Sequence, residues 1–170
     1  VQKLYENQSG RKISLPYGVE ALRCYEGVKL QKKTEEVSER TEEVQELNME
    51  GTTSWVNESF RTRIFPYSGE KILEKKYTKW FDCDKINCEL SVRTRRSGDY
   101  MIVNQSGGRK KLTRCMIDDK IPGEIRQEIP LVAAKDEVLW IVGGRISERY
   151  KITSQTEKVL EITYQGGNLE

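Results

Sequence analysis

Between Gly107 and Lys151 basic side chains keep recurring, and apolar runs keep interrupting them. Arg109, Lys110, Lys111, Arg114, Lys120, Arg126, Lys135, Arg145, Arg149 and Lys151 alternate with apolar stretches such as Leu131–Ala134 and Val138–Val142. Gly107-Gly108, Ile121-Pro122, Ile129-Pro130 and Gly143-Gly144 punctuate the run. A disordered basic tail lacks the apolar residues that offset the entropy of ordering a chain. This stretch has them, so it is expected to fold and to carry its cations on a surface.

Overall charge hides that surface. The 170 residues hold 29 Lys/Arg and 27 Asp/Glu, a formal +2. Residues 34–50, however, set Glu35, Glu36, Glu39, Glu42, Glu43, Glu46 and Glu50 against Arg40, a net of −6. Residues 90–151 set thirteen Lys/Arg against eight Asp/Glu, a net of +5. A local excess of that kind suits a polyanion, whose phosphates several cations neutralise together. It also suits a solvated, salt-bridged surface. The acidic segment has Val37, Val44 and Leu47 as its large aliphatics and reads as a linker or a solvated connecting helix.

The length allows one good core, or a small domain with an appendage. No apolar run approaches the ~20 residues that span a bilayer, and no apolar signal peptide opens the chain. Val1 is not a methionine and lies inside what reads as a helix end, so a fragment of a longer polypeptide is expected. Cys24, Cys83, Cys88 and Cys115 form no Cys-x-x-Cys, and histidine is absent. No metal site is expected from them, because a closed zinc site would need all four thiolates at other spacings. The spacing leaves a Cys83–Cys88 disulfide open, but free thiols in a reducing cytoplasm are the expectation. Without histidine there is no imidazole base, and nothing singles out a Lys or Tyr for that role. No catalytic residue is assigned.

Local patterns give the elements. Val1, Leu4 and Tyr5 suit a helix that ends at Ser9-Gly10. Lys12–Leu15, Val19–Tyr25 and Val28–Gln31 read as a small β meander. From Gly51 onward most of the pattern is β. Phe60, Thr62 and Ile64 alternate, as do Tyr77, Lys79 and Phe81, while Asp82–Ile86 reads as a turn or a single helical turn. Leu90, Val92 and Thr94 face inward on a strand whose outer face is Ser91, Arg93 and Arg95. Tyr100–Val103 follows as another strand. Leu112, Cys115, Met116 and Asp119 then fall at helical spacing, which predicts an amphipathic helix over Lys110–Asp119. Pro122 opens a second short helix, Gly123–Glu128. Leu131–Ala134 and Val138–Val142 form a hairpin, and Val159–Tyr164 is a closing strand. The class is α+β: a sandwich or open barrel of short strands with two short helices, preceded by the meander.

Two motifs have more than one reading. Ser106-Gly107-Gly108 lies between a strand and a helix, a context that suits phosphate. The loop of ATP-pyrophosphatase-type enzymes reads Ser-Gly-Gly-x-Asp-Ser, whereas here Lys110 and Lys111 occupy the last two places. A polynucleotide phosphate beside Arg109, Lys110 and Lys111 is the better expectation, with Gly107 and Gly108 permitting close backbone approach. Among aromatics, Trp140 is expected in the core. Tyr150, between Arg149 and Lys151, is expected at the surface.

Gly108–Leu112, Lys120-Ile121-Pro122, Arg126, Ile129–Val132, Trp140–Arg145, Glu148–Lys151 and Thr156–Leu160 resemble, in order and spacing, the C-terminal domain of bacterial tRNA(Ile)-lysidine synthetases. Leu90–Asp99 resembles the strand and turn before it, and Ser9–Gly18 the segment after that family's helical middle domain. The resemblance implies a β-sandwich of unusual topology with helices, similar to a domain of the phenylalanyl-tRNA synthetase β chain. It implies residues 1–33 as the end of the preceding domain, 34–50 as a connection, and 51–170 as a tRNA-binding domain. The parent enzyme adenylates the wobble cytidine of an isoleucine tRNA with a CAU anticodon, and lysine then displaces AMP to give lysidine. ATP and Mg belong to the N-terminal catalytic domain, so this part is expected to hold no cofactor and to be inactive alone. Expected partners are the acceptor-stem side of that tRNA and the chain's own N-terminal domain; a homodimer stays open. Lys110, Lys111, Arg126, Arg145, Arg149 and Lys151, with Arg109 and Arg114, are expected to contact tRNA. Gly143 and Gly144 would allow close backbone approach, and Glu148 would orient Arg149 or Arg145. A generic RNA-binding sandwich and a protein-interaction module with a basic face remain as alternatives.

Overall fold

In the computed structural model, residues 12–16, 19–23, 26–32, 43–72 and 75–166 are described. The helix expected over 1–9, residues 34–42 of the acidic segment and Cys24 lie outside them. The meander forms as expected. Strands β1 (Lys12–Leu15), β2 (Val19–Arg23) and β3 (Val28–Lys32) pair antiparallel in the order β1-β2-β3, with Ala21 buried.

Two further sheets share one core. The first runs β5 (Gly51–Trp55), β6 (Glu58–Pro66), β13 (Lys158–Gln165), β7 (Thr78–Asp82), all antiparallel. The second contains β4 (Gln45–Glu46), β8 (Ser91–Arg93), β9 (Tyr100–Ile102), β10 (Arg109–Lys111), β11 (Leu131–Ala134) and β12 (Glu137–Ile141). Its order is β10-β9-β12-β11-β8-β4, with β9 and β12 parallel and the other pairs antiparallel. Phe60, Phe81, Leu160 and Ile162 of the first sheet pack on Val92, Val132, Leu139 and Trp140 of the second. On the second sheet's other face, helix α1 (Leu112–Asp118) brings Leu112, Cys115 and Met116 against Met101, Leu131, Ala133, Val138 and Ile141.

That sheet is thus covered on both sides, which explains why β11 and β12 are buried at every position. A strand with two covered faces needs no alternation. A register shift opposite Val132/Ala133 leaves Leu139 as the extra residue of a bulge. A bulge sets two residues against one, and so Leu139 and Trp140 both reach the inter-sheet core. Trp140 is fully buried, as expected, with Phe81 at a ring-centroid distance of 6.4 Å.

Four expectations need correction. The helix expected over Lys110–Asp119 begins only at Leu112, because Arg109–Lys111 pair with the free edge of β9. Gly123–Glu128 is a succession of turns and not a second helix, so residues 75–166 hold one α-helix plus 3-10 turns at Cys83–Lys85 and Glu148–Tyr150. Its bonds, such as Ile125 N–H to Pro122 O and Glu128 N–H to Ile125 O, close separate turns, too few to overcome the cost of helix nucleation. The end of the acidic segment is neither linker nor helix. Gln45–Glu46 extend the sheet beside β8, and Leu47 is buried.

The fourth correction is Arg93, expected on an outer face and found 2% exposed. Its two Nη atoms donate to both oxygens of Asp99 at 2.8 Å, and also to Thr94 O at 3.0 Å and Lys135 O at 2.6 Å. A guanidinium can be buried when a bidentate carboxylate and carbonyls take up its N–H groups. Among the described residues no helix is long and apolar enough to cross a membrane.

Removing Asp99 would strand that guanidinium. Asp99→Ala is expected to cost about 3–5 kcal/mol of folding stability, read as a lower denaturant midpoint. A loss below about 1 kcal/mol, the range of exposed pairs, would show that Arg93 finds solvent instead.

Candidate nucleic-acid interface

The β9–β10 hairpin sets the first part of the basic surface. Asn104 closes its turn: Oδ1 accepts from Gly108 N–H at 2.7 Å and from the Ser106 hydroxyl at 2.9 Å. Gly107 adopts φ 82°, a left-handed conformation suited to glycine. A Cβ on Gly108 would come within 2.6 Å of Asn104 Nδ2. Ser106-Gly107-Gly108 is therefore a hairpin turn separated from the helix by a strand, not the lead-in to a phosphate-facing helix. The loop does not fit a nucleotide phosphate either, because Asn104 already takes the Gly108 donor and the start of α1 lies a strand away. The first N–H of α1 goes to Asp99 O at 2.9 Å.

Beyond that turn the cations gather on β10 and α1. Arg109 is exposed and its guanidinium lies 4.6 Å from the Tyr100 ring centre, a cation–π contact. Lys111 is exposed, and no ion pair involves it among the described residues. Lys110 pairs with Asp118, and Arg114, 67% exposed, lies 3.4 Å from the same carboxylate. The hydrogen bond from Lys110 holds the Asp118 carboxyl below its ordinary range. Arg95 donates to Thr113 Oγ1 at 3.3 Å and adds a cation to this ridge.

The remaining candidates are distributed by their partners. Arg145 forms a two-pronged pair with Asp119 at the C-terminal end of α1. Arg149 donates to Glu137 at 2.9 Å; that carboxylate, 7% exposed, also accepts from the Tyr100 hydroxyl at 3.4 Å. Tyr100 thus links Arg149 to Arg109. Glu148 orients neither Arg149 nor Arg145: it pairs with Lys151 at 2.5 Å. Arg126 donates to Ile121 O at 2.8 Å and braces its own turn. Tyr150, expected at the surface, is 4% exposed and packs in the inter-sheet core. The 3-10 turn Glu148–Tyr150 directs it inward while Arg149 stays out.

A cleft of about 990 Å³ separates the edge of β7 from the segments after α1 and β12. Gly143, Gly144, Arg145, Glu148 and Lys151 line it, with Lys76, Lys79 and Lys120. Gly143 has φ 78°, and a Cβ there would lie 3.2 Å from Tyr77 Cε1. The close approach that Gly143 permits is to Tyr77. Lys76, Lys79 and Lys120 are missing from the site expected from the sequence. The interleaving of Lys75-Lys76-Tyr77-Thr78-Lys79-Trp80 was the available signal. Cys83, Cys88 and Cys115 are free thiols, with burial pushing the Cys83 and Cys115 thiols up.

Comparison with known proteins identifies the domain. Residues 90–162 match the TilS substrate C-terminal domain. The tRNA(Ile)-lysidine synthase of Caldanaerobacter subterraneus is 36% identical over 165 residues, 96% of this chain and 35% of the relative. That of Clostridium perfringens is 32% identical over 176 residues, 96% of this chain and 37% of the relative. A crystal structure of a TilS C-terminal domain superposes with a TM-score of 0.61 at 26% identity, covering 75% of this chain and 98% of that one. This chain belongs to the tRNA(Ile)-lysidine synthase C-terminal family. It spans about 35% of the length of the synthases it matches. The TilS match runs from β8 into β13, so the β10–α1 ridge and most of the cleft's lining fall inside the family's domain, with Lys76 and Lys79 just before it.

Tyr150 offers a test of its burial. Burial first, and the Glu137 charge second, push its phenol up to about 12 from an ordinary 10. A group whose folded value is raised contributes stability that is intact below the unfolded value and lost as pH climbs through the folded one. Stability should therefore fall between about pH 10 and 12, and Tyr150→Phe should flatten that decline in denaturant midpoints. An unchanged decline would assign it to other groups, Tyr164 among them.

Proposed function

We propose that this chain is the RNA-holding part of a tRNA(Ile)-lysidine synthase and that the β10–α1 ridge grips the acceptor-stem side of an isoleucine tRNA with a CAU anticodon. The observation that carries the reading is the exposure of Arg109, Lys111 and Arg114 on adjoining turns of β10 and α1, inside the region that matches the family. A-form RNA offers phosphates and 2′-hydroxyls on a broad, shallow surface, and such a ridge can reach them without reading base edges. Arg145 and Arg149 are held by Asp119 and Glu137 and would enter by sharing their guanidinium edges, with Gly107 and Gly108 serving the turn before Arg109 and Gly144 the loop before Arg145.

In this reading the lysidine-forming ligation, with ATP and Mg, belongs to the part of the synthase that precedes this region, in the cytoplasm. The described residues include no cluster of three or more His, Cys, Asp or Glu able to hold a metal ion, and the Gly107-Gly108 turn does not fit ATP. No step of that reaction is assigned to these residues. Residues 51–170 would form the tRNA-binding unit with β4 as its edge, and 1–33 the end of the domain before it.

The test is binding of the chain to isoleucine tRNA across a salt series, with an unrelated tRNA and a DNA duplex as competitors. Lys111→Glu with Arg114→Glu should weaken binding and lower the salt slope by up to about two phosphate contacts, roughly 0.9 each for a duplex. Equal binding to every duplex would point to generic RNA recognition. No binding at low salt would end the reading.

A further inference from the structure

The cleft beside the ridge has features that a duplex-binding surface does not need. One wall is the open edge of β7. The Tyr164 N–H bonds Tyr77 O at 2.8 Å, and antiparallel bonding alternates, so Tyr77, Lys79 and Phe81 face β13. The main-chain N–H and C=O groups of Thr78 and Trp80 consequently point the other way, into the cleft that both residues line. The opposite wall is Asp119–Pro122 with the Gly143–Ile146 loop, and the floor is Ile102, Ile141 and Val142.

Five cations border the cleft: Lys76, Lys79, Lys120, Arg145 and Lys151. Among the described residues two acids, Asp119 and Glu148, face them and are already bound to Arg145 and Lys151. Lys79 and Lys120 have no ion-pair partner among the described residues. The volume, about 990 Å³, is at the upper end for a drug-sized ligand, roughly 300–1,000 Å³. It holds a few nucleotides of single strand and no turn of duplex.

We propose that this cleft binds single-stranded RNA, namely the unpaired 3′ nucleotides that continue from a duplex gripped by the β10–α1 ridge. The inference rests on the RNA reading above and extends it to a second subsite. Continuity supports it: α1 carries the ridge, and Asp119 at its C-terminal end is part of the cleft wall. The chemistry supports it as well. A cationic border follows a phosphate backbone, and the half-buried Tyr77 ring with the side chains of Ile72, Ile121 and Ile125 offers apolar surface to base faces. The edge groups of Thr78 and Trp80 offer donors and acceptors to base edges. An extended peptide could use that edge too, but the uncompensated cations favour a polyanion.

The experiment compares the full chain binding three RNA hairpins of one stem: blunt, with a 3′ tail, and with a 5′ tail. Each tail has about four nucleotides, the lower end of single-strand sites. The 3′ tail should tighten binding at least about tenfold over the blunt stem, and the 5′ tail should not. Lys79→Gln with Lys120→Gln should remove most of that gain and leave blunt-stem binding within about twofold. Equal affinity for blunt and 3′-tailed stems overturns the cleft and leaves the ridge reading standing. Equal gain from both tails overturns the cleft as well, whatever the variant does. Competition by an acidic peptide but not by the 3′ tail would make the cleft a protein-binding site. Failure of every hairpin to bind would remove both readings.

Discussion

The Arg93–Asp99 pair is the tie on which the second sheet depends. Arg93 is on β8, Asp99 stands just before β9, and Lys135 O, which Arg93 also reaches, is in the β11–β12 turn. Asp99 accepts from Arg96 N–H at 2.7 Å, and its carbonyl takes the first N–H of α1. Tyr100 N–H bonds Asp136 O, closing the same knot from the other side. One buried charge pair therefore fixes where three strands and a helix meet. Satisfied on every side, such a network specifies one arrangement; partly satisfied, it would be costly. The basic ridge starts from that knot, so its geometry follows from a contact buried beneath it.

Much of the β architecture was legible because alternation leaves a direct trace. Phe60, Thr62 and Ile64, and later Leu160 and Ile162, mark inner faces of the first sheet. Arg93 was not legible. A charge at an alternate position looks like an outer face, and only folding brings Asp99 and the Lys135 carbonyl to it. Tyr150 misled for a similar reason: flanking cations say nothing of direction when a 3-10 turn rotates successive side chains. The helical spacing of Leu112, Cys115 and Met116 was real, but it could not reveal that Arg109–Lys111 would be recruited by the β9 edge. The turns at 123–128 show the limit of a proline signal without enough residues to build a helix.

The candidate site was legible as a composition and not as a map. The sequence marks which residues are basic; the fold decides which are committed. Asp118, Asp119, Glu137 and Glu148 each hold one or two of the expected contacts. Exposed pairs of this kind add little stability. They do fix the direction of long side chains, and a pre-oriented guanidinium loses less entropy when a phosphate joins it. Lys111, Lys79 and Lys120 stay uncommitted, which separates carriers of net charge from carriers of geometry.

The open edge of β7 has a consequence of another kind. An exposed strand edge is a template on which a second copy of a chain can add its own strand. Lys76 and Lys79 flank this one, and lysines at an edge repel an identical edge brought against them. The same two charges that would draw a polyanion into the cleft thus also oppose growth of the sheet into a neighbouring molecule.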